Sequence, residues 1–455
     1  MATVRTKTIG VALVLALTAE GAAYALLIKY TDYFHAELLA WLSGPSWVLA
    51  VWLFSRCRVT ARQAAIIVLG VSAVLQVIAL TSPPSTSDDS YRYVWDAKVQ
   101  LAGIDPYRYT PSAPQLQQVR DPTLFGRPDH CQWPFPGGCT SINRPTVHTI
   151  YPPVAEAAFV VARVLSFGGH GDRRPLQIAG LLGSLLIGWL LLRWALARGK
   201  PWLATLWAWC PVTITEYANN AHIDWLAVLF VVLAFGTGAV RRPGLAGALV
   251  GAAIAVKLYP ALVLSALMRR NPLVAVGAAV GVVVLVYIPH VMAVGSAVIG
   301  YLPGYLHEES FQSGRRLLLL RQVVPQSVAT LVGAAILAAV AIWAWRRGDP
   351  ESPERSAVVV VGVALLVFTP SYSWYCGLLL ALVAMTGALE WVPLVFAGTA
   401  AYLVHSDHDV VIYVVAASAT ATIAAVRHVD SLRRWPPWIS PMTDRSRSSR
   451  LMPRP

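Results

Sequence analysis

The sequence predicts an all-α fold, a polytopic transmembrane helical bundle of 12 to 14 spans with a large exoplasmic first active-site loop carrying juxtamembrane helices. Three observations predict it. Of 455 residues, 56% are hydrophobic and 13% charged, more apolar surface than a soluble domain of this size could bury. Apolar runs long enough to cross, or half cross, a bilayer recur near 9–28, 37–54, 63–81, 176–195, 201–217, 221–239, 243–268, 272–293, 326–346, 356–370, 374–389, 390–405 and 410–427. Trp and Tyr gather at the ends of these runs, where amphipathic rings favour the interface.

The first run follows Arg5 and Lys7 and resembles the basic start of a signal peptide. It lacks a convincing cleavage site, so a retained anchor is expected. A cytoplasmic N-terminus puts Ser55-Arg56-Cys57-Arg58 inside as well and sends 82–150 outside. Counting onward, the basic stretches Arg193 to Lys200, Arg241-Arg242, Arg269-Arg270, Arg346-Arg347 and Arg427 to Arg434 all fall inside only if 153–167 does not cross. That run is short, contains Glu156 and Arg163, and opens with Tyr151-Pro152-Pro153, which suits a helix lying on the outer surface. The run 243–268 is left open as one span or two. The net charge of +13 sits mainly in the short loops and in the tail, so it reads as topology and not as a nucleic-acid surface. The expected organisation is two N-terminal helices over 1–62, a catalytic membrane domain over 63–430 with its outer loop and juxtamembrane helices at 82–175, and a basic cytoplasmic tail over 431–455.

The same count places four further stretches on the outer face with the loop. These are Glu216 to Asp224, the loop 294–325, Ser371 to Tyr375, and His405 to Asp409. The 82–150 loop is rich in proline and carries Cys131 and Cys139. A disulfide between them would staple a segment with little core of its own; two free thiols or a metal pair are the alternatives.

The chemistry centres on Ser87-Asp88-Asp89-Ser90-Tyr91-Arg92-Tyr93-Val94-Trp95-Asp96, just beyond the third apolar run. Carboxylates at a membrane edge beside aromatic rings at helical spacing, Tyr91 and Trp95, suit stacking on a sugar and taking a proton from its hydroxyl. The structural alternative is that Asp88 caps a helix starting near Ser90 while Asp89 pairs with Arg92. Lys257 is a lone cation within an apolar run. At a helix break facing outward it would neutralise a lipid-linked phosphate; otherwise it snorkels to the interface. Arg315 and Arg316 are similar, with contact to lipid headgroups as their alternative. His222 and Asp224 either hydrogen-bond within the cavity or cap a helix start. His405, Asp407, His408 and Asp409 have the residue types for a divalent metal, but a short solvated turn explains them more cheaply; no other cofactor is called for. Neither a phosphate-cradling glycine loop nor a nucleophile elbow is present.

These residues resemble the membrane glycosyltransferases of the GT-C superfamily, particularly bacterial mannosyltransferase-like members that use a polyprenyl-phosphate sugar. The resemblance covers about 63–430. It is carried by Asp88 to Asp96 with Gly103-Ile104-Asp105-Pro106-Tyr107, by Tyr151-Pro152-Pro153, by His222-Ile223-Asp224 and by Lys257-Leu258-Tyr259-Pro260. It implies that an acid of the first outer loop is the base, Asp89 ahead of Asp88. It also implies inverting transfer of mannose, or of arabinose, from a polyprenyl-phosphate donor to a glycan or glycolipid acceptor. Tyr91, Trp95, Asp96, Tyr151, His222, Asp224, Lys257, Tyr259, Arg315 and Arg316 are then expected to bind substrate. The place implied is the outer face of a bacterial plasma membrane, among its lipids. Two helices here precede the one that usually comes first, so loop counting does not transfer. A secondary transporter or flippase-like protein is the rival, opposed by acids that gather in outer loops instead of near the midplane. A non-catalytic envelope scaffold is a third reading, and it would not require Asp88, Asp89 and Lys257 to converge.

Overall fold

The computed structural model describes residues 2–29, 33–126, 131–165, 172–236, 239–311, 315–404 and 409–433. It is a bundle of helices whose only strands among the described residues are the short antiparallel pair Trp133–Phe135 and Gly138–Thr140. Five helical stretches among those residues are long and apolar enough to cross a membrane: Ala61–Ala79, Arg174–Ala197, Pro272–Glu308, Gln326–Arg347 and Asp409–Val429. Ala2–Lys29 and Tyr33–Ser55 are also helical, and the second packs into the common core, with Trp47 donating its indole N–H to the Thr205 carbonyl at 3.3 Å.

Several apolar runs are not single rods. The run 201–217, expected as one span, is a chain of short pieces: Pro201–Ala204, Thr205–Ala208, Pro211–Thr213 and a wide π-type turn over Ile214–Asn219. Pro211 cannot donate into a continuing helix, and the wide turn directs Glu216, Asn219 and Asn220 inward, where all three are buried. The run 374–389 yields only the 11-residue helix Cys376–Thr386, roughly 16 Å long and buried on all sides.

The run 243–268 resolves into two halves. The helix Pro243–Ile254 ends at Ala255, the chain turns through Lys257, and Tyr259–Val263 with Leu264–Leu267 returns. Arg241 and Arg270, which flank the two halves, meet the same carboxylate, Glu351, so both halves begin and end at one end of the bundle and Lys257 is the apex. Gly247 and Gly251 let the first half lie directly against the Ala275 and Ala279 backbone of the Pro272–Val294 helix, where any β-carbon would collide.

The basic loops gather at that end. Arg198 pairs with Glu354, the Arg269 guanidinium donates to the Arg346 carbonyl, and Arg427 pairs with Glu390. At the opposite ends of the connecting helices the stretches expected on the outer face meet one another. Ser85 donates its backbone N–H to Asn219 Oδ1 at 3.0 Å, Arg144 pairs with Glu308, the Tyr301 N–H donates to the Thr149 carbonyl, and Ser373 donates its hydroxyl to Glu216. His405, Asp407 and His408 lie outside the described residues. The short run after Tyr151 forms the helix Pro153–Val164, whose Val154 N–H donates to the Ala255 carbonyl at 2.9 Å and so ties the first outer loop to the Lys257 apex.

Candidate active site

The acidic motif forms the helix Asp89–Leu101, with Asp88 at the N-cap position. Asp88 makes no side-chain cap bond; its Oδ2 accepts from Gln132 Nε2 at 2.7 Å. Nor does Asp89 pair with Arg92, which is spent on Asp96 four residues on, at 2.9 and 3.0 Å. Asp89 Oδ1 accepts from Asn143 Nδ2 at 2.7 Å and Oδ2 accepts from the Tyr151 hydroxyl at 3.3 Å, while His222 Nδ1 lies 3.8 Å from Oδ2. Both structural alternatives for the two acids therefore fail, and both carboxylates open onto a cavity of about 1350 Å³.

Helical periodicity decides which residues share that cavity. Asp88, Asp89 and Arg92 line it. Tyr91 and Trp95 lie on a different face of the same helix: the Arg173 guanidinium sits 4.0 Å above the Tyr91 ring, and Trp95, 1% exposed, packs on Phe125. Asp96 is equally enclosed. The expectation that Tyr91, Trp95 and Asp96 touch substrate thus meets a different arrangement, in which they brace the loop. Around Asp96, Glu156 accepts from the Thr149 hydroxyl at 2.8 Å and from Gln100 at 2.8 Å. Burial, reinforced by the adjacent Asp96 charge, pushes the Glu156 carboxyl well above its ordinary value. Farther out in the loop, burial opposes the Asp121 charge, but Lys98 at 2.6 Å and the amides of Thr123 and Leu124 outweigh it and hold that carboxyl below its ordinary value.

The opposite wall comes from later segments. Lys257 Nζ is 3.0 Å from Asp224 Oδ2 and lies 5.5 Å from the Tyr151 ring and 5.8 Å from the Tyr375 ring. Asp224 is the first residue of the Asp224–Gly236 helix and is fully buried, so it orients Lys257 from behind while the ammonium faces the cavity. Tyr151 is the common element: its hydroxyl reaches Asp89 and its ring faces Lys257. A scaffold would not require those residues to converge. Tyr259 and Arg316 also line the cavity, with Arg316 3.2 Å from Glu309 and donating to the Ser371 hydroxyl at 2.9 Å. Arg315 is exposed and does not line it. His222 is fully buried just beneath, stacked on Trp374 at 4.0 Å and 3.5 Å from Glu216 Oε2.

Sequence reasoning missed Asn143, Gln132, Glu309 and Trp374 as partners of this site. Their signals were two amides in the long 82–150 loop, an acid beside Glu308 in the loop 294–325, and an aromatic among the five residues Ser371 to Tyr375, none of which marks a contact before the chain folds. Among the described residues no group of three or more His, Cys, Asp or Glu side chains is arranged to hold a metal ion.

The cavity has two characters. Its mouth is polar and aromatic. Its inner part runs between Gln326–Arg347 and Glu354–Phe368 and is lined by Leu262, Ala334, Leu337, Ala341, Val361 and Leu365.

Residues 149–370 match the model of glycosyltransferase family 87, a stretch that holds Tyr151, His222, Asp224, Lys257, Tyr259, Arg315 and Arg316 and begins after both acids of the first loop. No curated protein matches the chain. Among solved structures it is similar to the archaeal oligosaccharyltransferase AglB from Archaeoglobus fulgidus, in complex with an inhibitory peptide and a dolichol-phosphate. The TM-score is 0.36 at 12% identity, over 78% of this chain and 56% of that one.

Proposed function

We propose that this chain is a membrane glycosyltransferase of the GT-C type, and that it moves a sugar, mannose first among the choices, from a polyprenyl-phosphate donor to a glycan or glycolipid acceptor. The reading places the reaction on the outer face of a bacterial plasma membrane. One observation carries it: a single cavity joins the Asp89 carboxylate and the Lys257 ammonium to an apolar passage between the helices Gln326–Arg347 and Glu354–Phe368. A lipid phosphosugar has that same division, an anionic sugar-bearing head on a long hydrocarbon tail.

In this reading the tail lies along Leu337 and Leu365, the phosphate meets Lys257 with Arg316 farther along the wall, and the sugar faces Asp89. Asp89, held by Asn143 and Tyr151, takes the proton of the acceptor hydroxyl. The acceptor oxygen bonds to the anomeric carbon from the face opposite the phosphate, the carbon–phosphate-oxygen bond breaks, and the configuration inverts. Phosphate leaves as an anion, so a cation at its oxygen substitutes for a general acid. Asp88, tied to Gln132, stands at the acceptor side.

The test is transfer of labelled mannose from polyprenyl-phosphate mannose to membrane lipid and glycan acceptors, wild type against Asp89→Asn. Transfer by the wild type and its loss in a folded variant is expected. Equal transfer by Asp89→Asn, Asp88→Asn and the double variant would remove the base assignment.

A further inference from the structure

We propose that Trp133 is the stacking platform of a saccharide subsite at the aqueous mouth of the cavity, where it holds the sugar unit of the acceptor next to Asp89. The proposal rests on the transferase reading above and adds the chemistry of the second substrate.

Four observations lead to it. First, Trp133 keeps 38% of its surface exposed although it lines the cavity, an arrangement that leaves a large flat ring free to be covered. Second, it stands on a built support. The strands Trp133–Phe135 and Gly138–Thr140 are three residues each, too short to hold a shape alone. They are closed by the Cys131–Cys139 disulfide and by a turn with Gly137 at φ +86°, a conformation that favours glycine. The hairpin is fixed to the loop from below, where Phe135 packs on Phe125 and Thr140 donates its hydroxyl to the Leu124 carbonyl at 2.7 Å.

Third, the neighbours are the right kind. Gln132, beside Trp133 in the chain, donates to Asp88, and Asn143 donates to Asp89, so planar amides and carboxylates border the same mouth. A sugar ring offers an apolar face of C–H bonds and an edge of hydroxyls that both donate and accept. An aromatic face next to planar polar groups matches both features at once. Fourth, the platform lies at the polar mouth, away from the apolar passage assigned to the donor tail. An interfacial anchor would point its ring toward lipid; this one faces the cavity.

The test uses the full chain in lipid nanodiscs and saturation-transfer difference NMR with the methyl glycosides of mannose, glucose, galactose and arabinose as probes. At least one glycoside is expected to receive saturation from the wild type. Trp133→Ala should weaken that signal about five- to ten-fold, and Trp133→Phe should keep most of it. No saturation of any probe, or an unchanged signal in Trp133→Ala, overturns the subsite. Where transfer is measurable, Trp133→Ala should raise KM for the acceptor and leave KM for the polyprenyl-phosphate donor in place; a rise in the donor KM alone also overturns it. A wild type that transfers no sugar but still loses glycoside binding on Trp133→Ala would sink the transferase reading and leave the subsite standing.

Discussion

The two ends of this bundle use the same residue types for opposite purposes. At the basic end Arg241 and Glu351 pair at 3.8 Å with side chains 76% and 59% exposed. At the cavity end Lys257 and Asp224 pair at 3.0 Å with 15% and 0% exposed. Water screens the first pair, which leaves it with little worth beyond marking which side of the membrane a loop occupies. The second pair has lost its water, so each charge depends on its partner and on whatever enters the cavity. Of these two pairs, the buried one belongs to the cavity and the exposed one marks a loop.

The sharpest way to break that contrast is Asp89→Asn. It keeps the shape and the Asn143 and Tyr151 neighbours but removes the group that accepts a proton, and general-base loss costs about 10²- to 10⁴-fold in rate. Initial rates of labelled mannose transfer, with thermal unfolding as the control for folding, would check it. A loss under about three-fold would demote the cavity end to a structural feature.

Lys257→Ala comes next. Removing one partner of a buried pair strands the other, so this variant should lose on the order of 3 kcal/mol of stability as well as donor affinity. Adding Asp224→Asn separates the effects: stability should recover in the double variant, while KM for the polyprenyl-phosphate donor stays raised and KM for the acceptor is little changed. Recovery of donor affinity along with stability would return Lys257 to a purely structural role.

How much of this was legible beforehand follows the same physical division. The helical class, the short helix after Tyr151 and the gathering of basic loops all come from hydropathy and charge, which act residue by residue and need no partner. The break at Lys257 was visible as a cation in an apolar run, and the structure settles it as the apex of two half-spans. Tyr91 and Trp95 were chosen by spacing alone, which says that two side chains share a helix face but not which face meets the cavity. Asn143 and Trp374 could not be read at all, because their significance lies in contacts to Asp89 and His222 across long stretches of chain.

A milder probe addresses the loop that carries the carboxylate wall. Asp121 is held below its ordinary value by Lys98 and two backbone amides, so its contribution is present above the unfolded carboxylate range near pH 4. It is lost as pH falls from there through the depressed native value. Proteolysis of the 82–150 loop should therefore accelerate below about pH 4, and Lys98→Met, by removing the main cause of the depressed value, should shrink that acceleration. An acceleration of unchanged size in Lys98→Met would mean another group controls the loop.

The smallest effect tests the other side of the comparison. Arg241→Ala removes an exposed cation 3.8 Å from a carboxylate that Arg270 also contacts, so Glu351 keeps a partner and the variant should lose no more than about 0.5 kcal/mol. Neither KM nor kcat should change. What Arg241 does supply is positive charge beside a short loop, and that charge acts during insertion. Replacing Arg241 and Arg242 together with Glu should leave the folded protein's thermal unfolding nearly unchanged while lowering the fraction of chains inserted in the correct orientation, read by cysteine accessibility from the two sides of the membrane. If the same replacement cut transfer in correctly inserted protein, charge at the basic end would be coupled to the cavity, and exposure would no longer separate topology from chemistry.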